Sequence, residues 1–245
     1  MSERLVCGLQ PVREAIAAHG AAVRVFVEDK EDAPQLDALA RFARDRGASL
    51  VRVRRGELDR ASHGVRHQGA IAYVPALRVR SLEELELARD GAPLVVVLDS
   101  IEDPQNFGAI VRSSVAFGAA AVVWPQHGAA PLTPATFGAS AGAIEHAQLC
   151  SVPSLPNALA ALRERGLRVV GLDASADRSL DAEDLVAPTA LVLGAEGAGL
   201  HKSVRRACDG LARLPMRGPI ASLNVSAAAA IALYEVTRQR SLAQK

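Results

Sequence analysis

Three short segments of the chain concentrate residue types able to hold a ligand or take part in a reaction. Residues 99–112 read Asp-Ser-Ile-Glu-Asp-Pro-Gln-Asn-Phe-Gly-Ala-Ile-Val-Arg. Asn106 can cap a helix that begins there or turn its amide towards a ligand. Gly108 stands one helical turn before Arg112, which leaves room beside a guanidinium suited to a phosphate or a ribose edge. Residues 193–200 read Leu-Gly-Ala-Glu-Gly-Ala-Gly-Leu. Their glycines permit a tight turn and close backbone approach to a ligand. Glu196, in the middle of that turn, suits a hydroxyl or amine donor and would repel a pyrophosphate. Residues 214–226 read Leu-Pro-Met-Arg-Gly-Pro-Ile-Ala-Ser-Leu-Asn-Val-Ser. There a Pro/Gly-punctuated loop runs into an alanine-rich helix. Ser222 and Asn224 sit at the junction, where free backbone amides gather, and either could serve as a cap alone.

These segments need strands and helices to bring them together. Apolar runs predict strands at 94–98, 120–124, 147–150, 168–171, 190–193 and 211–214, alternating with helices at 107–116, 134–141, 154–165, 202–207 and 225–240. Such alternation specifies an α/β domain with a parallel sheet, whose ligands bind beyond the carboxyl ends of the strands. All three segments follow predicted strands. The glycine order Gly194, Gly197, Gly199 is Gly-x-x-Gly-x-Gly and follows the fifth strand of the block. A dinucleotide fingerprint would be Gly-x-Gly-x-x-Gly near the first strand, so a nucleotide-dependent oxidoreductase is disfavoured.

Upstream lies a smaller α/β block over residues 1–75, with helices at 12–18 and 34–46 and strands at 23–27, 50–53 and 70–74. Residues 76–91 read as a charged linker, and 92–245 form the second domain. Arg52, Arg54, Arg55, Arg60 and Arg66 cluster in the first block. They suit either a solvated face or an RNA backbone.

The 245 residues are 49% hydrophobic and 22% charged, an ordinary globular balance. A net charge of +1 gives no global field for a polyanion. The three cysteines, Cys7, Cys150 and Cys208, are widely spaced and show no disulfide framework or metal spacing. No apolar run reaches the roughly 20 residues of a membrane span, and the N-terminus has no signal-peptide pattern. The expectation is a soluble cytoplasmic protein with no metal and no membrane partner.

Together the three segments resemble the SpoU, or TrmH-like, family of RNA ribose 2′-O-methyltransferases. Asn106-x-Gly108-x-x-x-Arg112 is similar to its first motif, Leu193-Gly194-x-Glu196-Gly197-x-Gly199-Leu200 to its second, and Pro215-Met216-x-Gly218-x-x-x-Ser222-Leu223-Asn224-Val225-Ser226 to its third. Upstream, Gly8-Leu9-Gln10-Pro11-Val12 and His67-Gln68-Gly69-x-Ile71-Ala72 resemble the small RNA-binding domain of the subgroup that methylates a guanosine of 23S ribosomal RNA. Cys7 replaces that subgroup's usual aromatic, and Gln10 its histidine.

The resemblance implies a parallel sheet closed by a deep trefoil knot, a homodimer, S-adenosylmethionine as methyl donor and large-subunit ribosomal RNA or its precursor as substrate. It implies that Leu193, Gly194, Leu214, Met216, Ser222 and Leu223 hold the adenosylmethionine. Asn106, Arg112, Glu196, Ser222 and Asn224 match the polar catalytic set. A guanidinium is a poor base, and Arg112 is better placed to orient the nucleotide and stabilise developing charge. An aromatic content of 3% leaves little for base stacking. Two other readings are a transfer-RNA methyltransferase of the same fold and a non-catalytic ribosome-assembly protein.

Overall fold

The computed structural model describes residues 3–87, 91–130, 132–220 and 222–244. In chain order the elements begin with β1 (Glu3–Cys7), α1 (Leu9–His19), β2 (Arg24–Glu28), α2 (Pro34–Asp45), β3 (Ser49–Val53), α3 (Arg55–Ala61), β4 (Ala70–Pro75) and β5 (Val79–Arg80). They continue through β6 (Leu94–Asp99), α4 (Pro104–Ala116), β7 (Ala121–Pro125), α5 (Pro134–Ala139), β8 (Leu149–Val152), α6 (Leu155–Glu164) and β9 (Arg168–Leu172). The last are β10 (Thr189–Gly194), α7 (Lys202–Ala207), β11 (Gly210–Ala212) and α8 (Val225–Ala243). Two compact units emerge, one of residues 1–77 with 132–146, the other of 78–131 with 147–245.

The first unit is built on a four-stranded sheet in the order β1-β4-β2-β3. The β1–β4 and β4–β2 pairs are antiparallel and β2–β3 is parallel. Along α2, Leu36, Leu39, Ala40 and Ala43 fall on one face and are buried, the spacing of an amphipathic helix. Leu36, Leu39 and Ala43 join a core that includes Val12 and Ile16 of α1 and Val25 and Val27 of β2. The segment 132–146 packs into this unit through charge. Glu145, whose side chain is 1% exposed, pairs with the Arg4 guanidinium and lies 2.9 Å from the His19 ring, and His146 meets Glu14 at 2.8 Å. Strand β1 and helix α3 have no counterpart in the sequence expectation: β1 opens on Glu3 and Arg4 and α3 buries only Leu58, so neither shows an apolar period.

The second unit carries an all-parallel sheet of seven strands, β11-β9-β10-β6-β7-β8-β5. All six residues of β6 are buried, which explains its unbroken apolar run, since both faces of such a sheet are covered. From β6 the chain moves through α4 to β7 on one side, and from β10 through α7 to β11 on the other. The β6/β10 boundary is therefore a topological switch point, where a crevice opens beyond the strand ends. The two strands end in register, Asp99 opposite Gly194, and α8 returns to pack on α4. The stretch that reads as linker contributes β5, and Leu85 and Leu87 enter the core. Its residues 88–90 lie outside the described chain.

One expectation requires correction. Asn106 does not cap α4. The cap is Asp103, whose carboxylate accepts from the backbone amides of Gln105 and Asn106, with Pro104 at the first helical position. Aspartate followed by proline is a strong start signal, and it moves Asn106 into the first turn with its side chain free.

Candidate active site

Beyond the carboxyl ends of β9, β10 and β11 lies a cavity of about 560 Å³. This falls within the ~300–1,000 Å³ usual for a small-molecule site. Its wall comes from the three loops that follow those strands. Leu193, Gly194, Glu196, Leu214, Met216, Ser222 and Leu223 all line it. The lining is largely apolar side chains and backbone, with Glu196 and Asp173 as its carboxylates.

The loop after β10 doubles back tightly. Ala195 and Gly199 exchange two backbone hydrogen bonds, of 3.1 and 2.8 Å, and Gly197 and Gly199 take φ of +79° and +68°. A Cβ on Gly194 would come within 2.3 Å of the Gly199 backbone, so glycine is required there by close approach of the chain to itself. The turn leaves Glu196 exposed at the rim.

The third segment closes the arrangement. Asn224 is the N-cap of α8, and its Oδ1 accepts from the Ser226 amide at 3.0 Å. Its Nδ2 donates to Oδ1 of Asn106 at 3.0 Å and to Oε2 of Glu196 at 3.3 Å. One amide thus ties together residues from all three segments. Asn106 Nδ2 and Glu196 Oε1 make no protein hydrogen bond among the described residues, which leaves one donor and one acceptor for a ligand.

Arg112 is not brought into this cluster. It lies on α4, exposed and without a polar partner among the described residues, while Gly108 one turn earlier is buried. Ser222 reaches the cavity wall but is outside the Asn224 network.

Two groups near the site have no counterpart in the sequence reading. Asp173 follows β9 and lines the cavity. Burial raises its pKa, but hydrogen bonds from Ser175 and the charge of Arg205 at 3.0 Å outweigh that and hold it below the usual value. The other is Asp99, at the end of β6. Its side chain is 4% exposed, and it accepts from the His201 backbone amide at 2.7 Å and meets His201 Nδ1 at 3.0 Å. A charged residue ending an apolar strand was a readable signal. Its partner, about a hundred positions away, was not.

The chain matches a family model described as the SpoU rRNA methylase family over residues 93–234. A second, described as RNA 2′-O ribose methyltransferase substrate binding, matches residues 5–80. The chain is 40% identical over 242 residues to a protein named an uncharacterized tRNA/rRNA methyltransferase from Mycolicibacterium gilvum, covering 97% of this chain and 77% of the relative. It is 37% identical over 244 residues to the 23S rRNA (guanosine-2′-O-)-methyltransferase RlmB of Pseudomonas syringae pv. tomato, covering 98% and 97% respectively. Among solved structures it resembles the SpoU methyltransferase AviRb of Streptomyces viridochromogenes in complex with AdoMet. The TM-score is 0.78 at 29% identity, over 98% of this chain and 91% of that one.

Proposed function

The chain belongs to the SpoU rRNA methylase family, and from that premise we propose that it transfers the methyl group of S-adenosylmethionine to the ribose 2′-hydroxyl of a guanosine in 23S ribosomal RNA. The observation that carries this reading is the Asn106–Asn224–Glu196 cluster at the rim of the cavity. The RNA target rests on the Pseudomonas syringae relative, similar along nearly its whole length, and on the substrate-binding match upstream.

The cavity fits adenosylmethionine in size and character. Leu193, Leu214, Leu223 and Met216 supply an apolar enclosure for an adenine, and the backbone of the glycine turn offers polar groups at close range. The bound sulfonium supplies an already activated methyl group. What remains for the chain is to aim a hydroxyl along the line of transfer and help its proton leave. Asn224 Nδ2 fixes Asn106 and Glu196, so that Glu196 Oε1 can accept from a ribose hydroxyl while Asn106 Nδ2 donates to a neighbouring oxygen. Arg112 clamps the target nucleotide and stabilises developing negative charge. Ser222, at the wall, contacts the donor side. The proton passes to an RNA phosphate or to water.

In this reading residues 1–75 hold the RNA and 92–245 form the catalytic domain, knotted as in the family. No metal takes part. The protein works in the cytoplasm as a homodimer. Exposed Ile231, Tyr234 and Leu242 on α8 support a partner on that helix. The functional test is incubation with labelled adenosylmethionine and total ribosomal and transfer RNA, followed by mapping of the modified nucleotide. Label in a 23S guanosine ribose is expected. Label in transfer RNA alone would move the substrate, and no ribose label in any RNA would overturn the reading.

A further inference from the structure

We propose that Asp99 is a positioning residue for the methyl-transfer site, acting with His201 as a clasp that sets both the Glu196 loop and the Asn106 loop. This rests on the methyltransferase reading above.

The loop 195–200 has two feet. The first is the end of β10, where Gly194 lies in register with Asp99. The second is His201, whose backbone amide donates to Asp99 Oδ2 at 2.7 Å. One residue therefore holds both ends of a turn that supplies Ala195, Glu196, Gly197 and Gly199 to the cavity wall. The same residue begins the Asn106 segment. Ser100 turns the chain off β6 with a left-handed φ of +60°, and its Oγ lies 3.3 Å from the His201 ring, which also meets Asp99 Oδ1 at 3.0 Å. The loops leaving β6 and β10 are thus tied at their base. At their tips, Asn224 joins Asn106 to Glu196. The two hydrogen bonds at the tips keep their geometry only if the base does not slide, and small misplacements of reacting groups cost rate steeply.

Asp99 does not touch the cavity, so it acts through the loops. Burial makes the arrangement demanding. A carboxylate removed from water must keep its donors, and losing one is costly. The His201 ring is 64% exposed, so the backbone amide is the better shielded of its two contacts. An exposed ring contributes little, whereas the amide sets the loop.

Three variants separate these contributions. Asp99→Ala removes both acceptor oxygens and leaves the His201 amide without its partner. His201→Pro deletes the amide donor. The native φ of −57° at this position suits proline. His201→Ala removes only the ring. The readouts are hydrogen exchange at Ala195 and Gly199, the adenosylmethionine Kd of the full-length protein, and kcat at saturating RNA and donor.

Asp99→Ala and His201→Pro are expected to speed exchange at both amides and weaken donor binding by about tenfold or more, a loss of ~1.4 kcal/mol. They should also lower kcat, while His201→Ala stays within about twofold of the parent. Leu149→Ala, a cavity in β8 two strands beyond β6, serves as a destabilised control. It should lower Tm with no change at Ala195, Gly199 or in Kd. The clasp is refuted if Asp99→Ala and His201→Pro leave exchange and Kd unchanged, or if the control reproduces both changes. Failure of the parent to methylate RNA would sink the functional reading instead, and the exchange measurement would still decide the clasp.

Discussion

Replacing Gly194 with alanine tests whether the glycine turn is built by steric contact. The added Cβ would sit 2.3 Å from the Gly199 carbonyl carbon, 2.4 Å from its oxygen and 2.5 Å from the Leu200 nitrogen. All three are backbone atoms, so no side chain can rotate away. Reaching ordinary contact at 3.4 Å requires the far limb of the turn to retreat by about 1.1 Å. That limb carries the Gly199–Ala195 hydrogen bonds and leads directly to His201. Overpacking of this kind costs about 1–3 kcal/mol, and displacing a site by ~1 Å can cost on the order of 10²-fold in rate. Gly197→Ala is the internal comparison. Its φ is +79°, but a Cβ there meets nothing within 4 Å. Its cost is limited to the left-handed backbone penalty of about 1–2 kcal/mol. Isothermal titration of adenosylmethionine and single-turnover methylation should rank the proteins parent, Gly197→Ala, Gly194→Ala, with the last near loss of binding. Equal donor affinity in Gly194→Ala and the parent would refute the steric account.

Four further outcomes follow from the same geometry. Asn224→Asp retains a good N-cap for α8 but places a carboxylate against Glu196 where an amide donor stood. Turnover should fall roughly 10²-fold with Tm nearly unchanged, whereas Asn224→Ala should also lose about 1 kcal/mol of helix stability. Arg112→Lys, on an exposed residue with no polar partner among the described residues, should preserve Tm and donor affinity and lower turnover on RNA, because a point charge cannot replace a planar fork. Near-normal turnover with unchanged RNA affinity would remove Arg112 from the mechanism. Asp173 has a folded pKa below its unfolded value, since the Ser175 hydrogen bonds and Arg205 outweigh the opposing effect of burial. Its contribution is therefore present above the unfolded value of roughly 3.9 and lost as pH falls through the folded one. In thermal melts the gap between parent and Asp173→Asn should be open at pH 6 and close below about pH 4. Burial pushes the thiol of Cys7 up to about 11, that of Cys150 to about 11 and that of Cys208 to about 12. Alkylation at pH 8 should be slower by on the order of 10²-fold in the native protein than after unfolding, as followed by mass spectrometry.

The legible parts of this fold are those with local signals. The buried strands β6 and β10 announce themselves as apolar runs, and the three loops carry glycine, proline and amide residues that only a special backbone would require. What escaped depends on partners distant in sequence. Periodicity places the helix near 134–141 but cannot tell which unit it joins. Glu145 settles that through Arg4 and His19, 141 and 126 positions away. Asp99 and His201 are likewise 102 positions apart. The misassigned cap at Asn106 is different in kind, because the Asp103-Pro104 pair was available and pointed to an earlier start. Correcting it changes what Asn106 is for. A capping Asn106 would have spent its side chain on the backbone of α4, but in the first turn it is free to meet Asn224.

That change links folding to chemistry. Asn224 commits its Oδ1 to the amide and hydroxyl of Ser226, starting α8, and its Nδ2 to Asn106 and Glu196. Asp103 spends its carboxylate starting α4 and so releases Asn106. The helix ends and the polar cluster therefore form from the same side chains. α4 and α8 pack on each other, and their N-terminal ends carry the two joined asparagines. Disturbing the packing of these helices should consequently reach the site before it reaches the apolar cavity wall. A core change on α8 such as Val236→Ala, at a residue 1% exposed, would then lower turnover more than donor affinity. The reverse order would mean that the polar cluster is held by its loops alone.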